Sequence, residues 1–153
     1  AMLGNMRQGL FTIQETGVIH PEYSGFLETI FNTNKISGTH FFDFLFSHSL
    51  ALGSNALNQV QESVRSIIGE DPMSFEFNSH LLLEEYDIEI AQTKKHLSLD
   101  WNPIIVDNIV TKLMVSVRDV TRLKEMEKAA ESQKRELDII SQILNISWSL
   151  IHI

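Results

Sequence analysis

A chain of 153 residues with 43% hydrophobic content is long enough to bury one core and carry one appendage, and its composition is that of an ordered globular protein. Twenty Asp and Glu against 12 Lys and Arg give a formal net charge of −8, which excludes a phosphate-neutralising nucleic-acid binder and disfavours an anionic membrane surface. The absence of cysteine removes disulfides, thiolate metal sites and covalent flavin–thiol photochemistry.

No run approaches the roughly 20 apolar residues that span a bilayer, and Met2–Arg7 has no apolar core of signal-peptide length. A cytoplasmic protein with no membrane insertion is expected. In chain order, Leu10–Gln14 alternates with Phe11 and Ile13 on one face, Glu15-Thr16-Gly17 supplies a turn, and Val18–Tyr23 restarts an extended run. This predicts a first hairpin whose second strand stops at Pro21 or lies at an edge. A short apolar stretch, Phe26–Phe31, precedes a loop over Asn32–Gly38. Thr39 is placed to cap a brief helix through Phe41–Phe46, whose dense aromatics suit the core. Ser54 or Asn55 starts a second helix, with Leu57, Val60, Val64, Ile67 and Ile68 on one stripe and an end near Gly69, just before Pro72.

Ser74-Phe75-Glu76-Phe77 alternates as a strand does, and Leu81–Glu85 fits either helix or strand. The signal then sharpens. Lys95–Trp101 alternates with Leu97, Leu99 and Trp101 together, Pro103–Val106 follows, and Asp107-Asn108 makes a turn into Ile109–Arg118, where Leu113, Val115 and Val117 share a face. Two long strands about a short turn make a second hairpin. From Arg122 to Ile153 there is no Gly or Pro. Leu123, Met126, Ala130, Gln133, Leu137, Ile140, Leu144, Ser147 and Ile151 advance by alternating three and four, which is a coiled-coil seam over about four heptads. The flanking charges are mixed in sign, as on a solvated face. Such a helix must pair with something, and it is expected to continue past Ile153 in a longer protein.

Strands, then helices, then a final hairpin running directly into an amphipathic helix is the element order of a PAS domain. Asp119-Val120-Thr121 is similar to the Asp-[Ile/Val]-Thr motif at the junction of last strand and signalling helix in that family. Leu99–Ile104 and Lys112–Thr121 resemble PAS-related segments of bacterial multidomain signalling proteins of the histidine kinase or phosphotransfer type, and Gln133–Ile140 resembles their helical linkers. The resemblance covers residues 94–144 best, extends to 8–24, and is poor over 41–93, where the family builds its ligand pocket. It implies an α+β fold: a PAS-like five-stranded antiparallel sheet with helices on one face, plus a C-terminal coiled-coil helix. Residues 7–121 are then the sensory domain and 122–153 the signalling linker.

The implied function is signal sensing and dimerisation within a two-component-type system, without catalysis. Asp119, Val120 and Thr121 would relay a shift of the sheet to the helix. Leu123, Met126, Ala130, Leu137, Ile140 and Leu144 would form the seam of a homodimer, with a signalling domain downstream in cis. Phe42, Phe44, Phe46, Phe75, Phe77 and Trp101 are candidates to line a small-molecule pocket, although such aromatics more often simply fill a core. Asp119 taken alone is an ordinary helix cap. The rival function is a dimerising spacer that senses nothing.

The sequence offers little chemistry beyond this. The histidines at 20, 40, 48, 80, 96 and 152 have no metal-ligand spacing, so neither a metal nor haem is expected, and no cofactor is identified. Glu70-Asp71 and Glu84-Glu85 are neighbours in sequence and lack a third group for acid–base work. Asp100-Trp101-Asn102 starts like a calcium loop, but Ile105 stands where glycine is needed.

Overall fold

The computed structural model describes residues 8–151. Residue 7, the expected start of the sensory domain, and His152 and Ile153 lie outside them. The chain divides between Val120 and Thr121 into two compact units.

The first unit is a five-stranded antiparallel sheet of spatial order β1-β5-β4-β3-β2. β1 (Gln8–Ile13) alternates half-buried and buried residues, with Phe11 and Ile13 inward. α1 (Phe26–Phe31) buries Leu27, Ile30 and Phe31 and ends at Asn32, which takes the left-handed conformation (φ 52°) that asparagine tolerates. α2 (Phe41–Phe46) sends Phe41, Phe44, Leu45 and Phe46 into the core, and β2 (Ser49–Leu50) is a two-residue edge strand. α3 (Ser54–Ile67) buries Val60, Val64 and Ile67 of the stripe read from the sequence, with Leu57 and Ile68 half-buried. α4 spans Pro72–Asn78, and a single 3₁₀ turn follows at Ser79–Leu81.

β3 (Glu85–Ile90), β4 (Thr93–Val106) and β5 (Ile109–Asp119) complete the sheet. The β3–β4 and β4–β5 turns, Ala91-Gln92 and Asp107-Asn108, both have two residues at positive φ, which matches the right-handed twist of the flanking strands. The expected second hairpin is present, with Leu99 opposite Val117 and Trp101 opposite Val115, and a register shift at Ile104/Ile105. Leu97, Leu99, Leu113, Val115 and Val117 are all buried on one face.

Three local expectations are corrected. The run 18–23 is not a ladder strand: it makes only isolated bridges, Ile13 with Ile19 and Val18 with His40. Its polar backbone is shared between β1, where His20 N donates to Thr12 O, and the 36–40 loop, where Ile19 N donates to Thr39 O, and Pro21 has no N–H to offer. Ser74–Phe77 lies in α4 and not in a strand, because Asp71 caps Ser74 N at 3.3 Å and Pro72 occupies the first turn, where its missing N–H costs nothing. His40, not Thr39, caps α2: its Nδ1 accepts from Phe42 N at 3.3 Å, while the Thr39 hydroxyl donates to Ile36 O at 2.7 Å.

The second unit is one helix, α5 (Thr121–Ile151), with no buried residue. No helix of the described residues is long and apolar enough to cross a membrane.

Candidate functional site

The six aromatic candidates fall into three places. Phe42, Phe44 and Phe46 belong to an internal cluster. Phe44 meets Phe31 at 4.3 Å and Phe11 at 5.7 Å between ring centroids, and Phe46 meets Phe42 at 5.5 Å and Tyr86 at 5.2 Å. Tyr86 is buried with its hydroxyl donating to Leu45 O at 2.6 Å, and burial pushes its phenol well above the ordinary tyrosine range. Phe77 is 70% exposed on α4. Phe75 and Trp101 are brought together elsewhere, lining a groove of about 380 Å³ between α4, the 3₁₀ turn and β4. Its floor is Leu82 and Leu99, both buried, and His80 and Glu84 stand at its rim.

A second hollow lies elsewhere in the sheet unit. About 270 Å³ opens between the 15–17 turn, His40 and Phe41 at the start of α2, and the Gln61, Val64 and Arg65 face of α3. Gly17 sits at φ 89° there, and a Cβ on it would lie 2.6 Å from His40 Nε2. Arg65 is held to Glu62 at 3.1 Å in an exposed pair.

The relay candidates lie in consecutive positions where strand becomes helix. β5 ends at Asp119 and α5 begins at Thr121, leaving Val120 alone between them. Val120 N donates to His96 O at 2.9 Å, so β4 still holds the chain at its last step before the helix. His96 is flanked from β3, with Nδ1 bonded to Asp87 and Nε2 3.7 Å from Glu85. Of the other histidines, His20 Nδ1 accepts from Glu22 N at 3.0 Å, and His48 and His80 are exposed. Among the described residues no three His, Asp or Glu side chains form a group that could hold a metal ion.

On α5 the seam candidates are all exposed: Leu123 by 53%, Leu137 by 58% and Leu144 by 63%, with Met126, Ala130 and Ile140 also open. Ile139, Ile143, Ile146 and Leu150 form a further exposed apolar row beside them, offset from the three–four row that starts at Leu123.

No protein-family model and no curated protein sequence matches the chain. Solved structures do. A sensory box histidine kinase/response regulator from Burkholderia thailandensis aligns over 89% of this chain and 94% of its own, at 14% identity and a TM-score of 0.52. The sensor region of a sensor histidine kinase aligns over 76% of this chain at 15% identity and a TM-score of 0.49, and the chain spans 40% of that region. The PAS domain of nitrogen regulation protein NR(II) from Vibrio parahaemolyticus aligns over 77% of this chain and 94% of its own, at 18% identity and a TM-score of 0.45. With its five antiparallel strands, covering helices and long C-terminal helix, the chain has a PAS-like α+β fold.

Proposed function

We propose that this chain is a bacterial, cytoplasmic signal-sensing and dimerising module, with residues 7–121 as sensor and 122–153 as linker. It passes the state of a bound ligand or partner through α5 to a kinase or phosphotransfer output in the same polypeptide. The observation that carries the reading is the one-residue join between β5 and α5, with Val120 still bonded to β4. A join with no flexible spacer passes a displacement of the sheet on to the start of the helix. The exposed seam supplies the second half of the reading, because two copies pairing through Leu123, Met126, Ala130, Leu137, Ile140 and Leu144 would turn a tilt at one end into a rotation along a dimer.

The test is Asp119→Ala in the full-length protein. The expected result is a sheet domain whose unfolding free energy changes by about 1 kcal/mol or less, with an output that no longer follows the stimulus. A variant that signals normally would overturn the relay role. The spacer reading is favoured by one observation, the phenylalanines of the core, which pack ring against ring. The Phe75–Trp101 groove, open at the surface, favours sensing.

A further inference from the structure

The groove between α4 and β4 has a definite chemistry. Trp101 is fixed in place, since its indole Nε1 donates to Leu83 O at 2.8 Å and its strand neighbours pair with β5. Phe75 reaches the same hollow from α4, a helix whose start is set by the Asp71 cap and Pro72. Among the described residues neither ring is paired with another ring, and both are half-buried, so each keeps a face for a visitor. Leu82 and Leu99 make the floor apolar.

The charge at the rim is negative. Leu99 N donates to Glu84 O at 2.7 Å, which extends the β3–β4 pairing by one residue and puts Glu84 in phase with Tyr86 and Ile88, the residues of β3 buried on the helix-covered face. Asp100 borders the groove through its place in β4 between Leu99 and Trp101, with its side chain on the opposite face of the sheet. The Glu84 carboxylate is not held in an ion pair among the described residues, no lysine or arginine lines the groove, and the whole chain carries −8. Aromatic faces attract cations through their quadrupole, and a carboxylate beside an apolar floor selects a charged head on an apolar body. An anion meets the wrong field here, and a neutral molecule leaves Glu84 without a partner.

We propose that the Phe75–Trp101 groove binds a small organic cation, an arylalkyl or alkyl ammonium compound, with the ammonium beside Glu84 and the apolar part between the two rings. The proposal names a class of signal and rests on the sensing reading for its consequence, but binding and relay are measured separately.

The probe is phenethylammonium, compared with the neutral phenethyl alcohol and the anionic phenylacetate, which share its ring and chain. Binding is followed by calorimetry and by the indole N–H signals in two-dimensional NMR, with Trp148→Phe assigning the Trp101 signal. The ammonium is expected to bind about tenfold or more tightly than either analogue and to shift the Trp101 indole and the Glu84 amide. Glu84→Gln, at an exposed position that leaves the fold intact, is expected to remove most of that preference. Trp101→Leu is expected to weaken the cation further. Equal or tighter binding of phenylacetate, shifts confined to residues outside the groove, no binding of the ammonium up to about 10 mM, or a Glu84→Gln variant that keeps the full preference would each overturn the proposal. If the cation binds as stated while the output of the full-length protein ignores it, the groove stands and the sensing reading falls.

Discussion

Gly9 marks the closest approach of β1 to α1. A Cβ there would lie 2.7 Å from Leu27 Cδ1 and 3.0 Å from the Leu27 backbone, and Leu27 is itself fully buried, so the helix must move to make room. Gly9→Ala is expected to destabilise the sheet unit by about 1–3 kcal/mol, the usual cost of overpacking, read as a lower midpoint in urea with an unchanged slope. Tyr86 is expected to contribute to an alkaline decline in stability. Burial raises its phenol in the fold, so above about pH 10 the unfolded chain ionises first and the native state holds the extra proton. Stability is therefore fully present below pH 10 and falls as pH rises beyond it. Tyr23 contributes in the same direction: its hydroxyl donates to Glu28 at 2.6 Å and that bond holds its phenol up, though at the surface the contribution is small. In Tyr86→Phe the alkaline decline measured by urea unfolding between about pH 9 and 11 should be shallower. A slope equal to that of the parent would show that Tyr86 is not the titrating group.

At the scale of elements, α5 contrasts with the first three helices. α1, α2 and α3 each bury a face in the sheet unit, whereas α5 has 31 residues and none buried. Helical stability in proteins comes mostly from packing an apolar face, so the order of α5 is expected to depend on packing that face against something. If that something is a second copy, helicity should fall on dilution while the Trp101 signal of the sheet stays constant. Ile140→Asp with Leu144→Asp should weaken the dimer about a hundredfold or more, since burying each side chain is worth about 1.5–3 kcal/mol, as read by analytical ultracentrifugation. A parent chain that is monomeric at high concentration would overturn the seam. The row Ile139, Ile143, Ile146 and Leu150 makes the apolar face wider beyond Leu137 than a two-helix seam uses. α4 teaches a different lesson: its alternating Phe75 and Phe77 imitate a strand over four residues, but the Asp71-Pro72 start decides for helix.

For the molecule as a whole, the sequence by itself determined the long hairpin, the α3 stripe, the strand-to-helix join and the long C-terminal helix. Each of these is local: period 2 or 3.6 sustained over ten or more residues, or a turn between two such runs, sets the element and which of its side chains share a face. β3 was within reach too, since Glu85–Ile90 alternates Tyr86, Ile88 and Ile90 with acids, but Leu81–Leu83 ahead of it blurred the period. Tertiary structure alone decided where the aromatics went. Phe42, Phe44, Phe46, Phe75 and Phe77 look alike in a list, yet three pack inside, one lines a groove and one faces solvent. It also decided that residues 18–23 share their backbone hydrogen bonds between β1 and a loop instead of forming a strand, and that Glu84 meets Trp101 and Phe75 across one hollow. The reason is common to all three. Which side chains meet across a sheet depends on register and on the docking of short helices, and those are fixed by contacts between residues far apart in the chain, which no local period encodes.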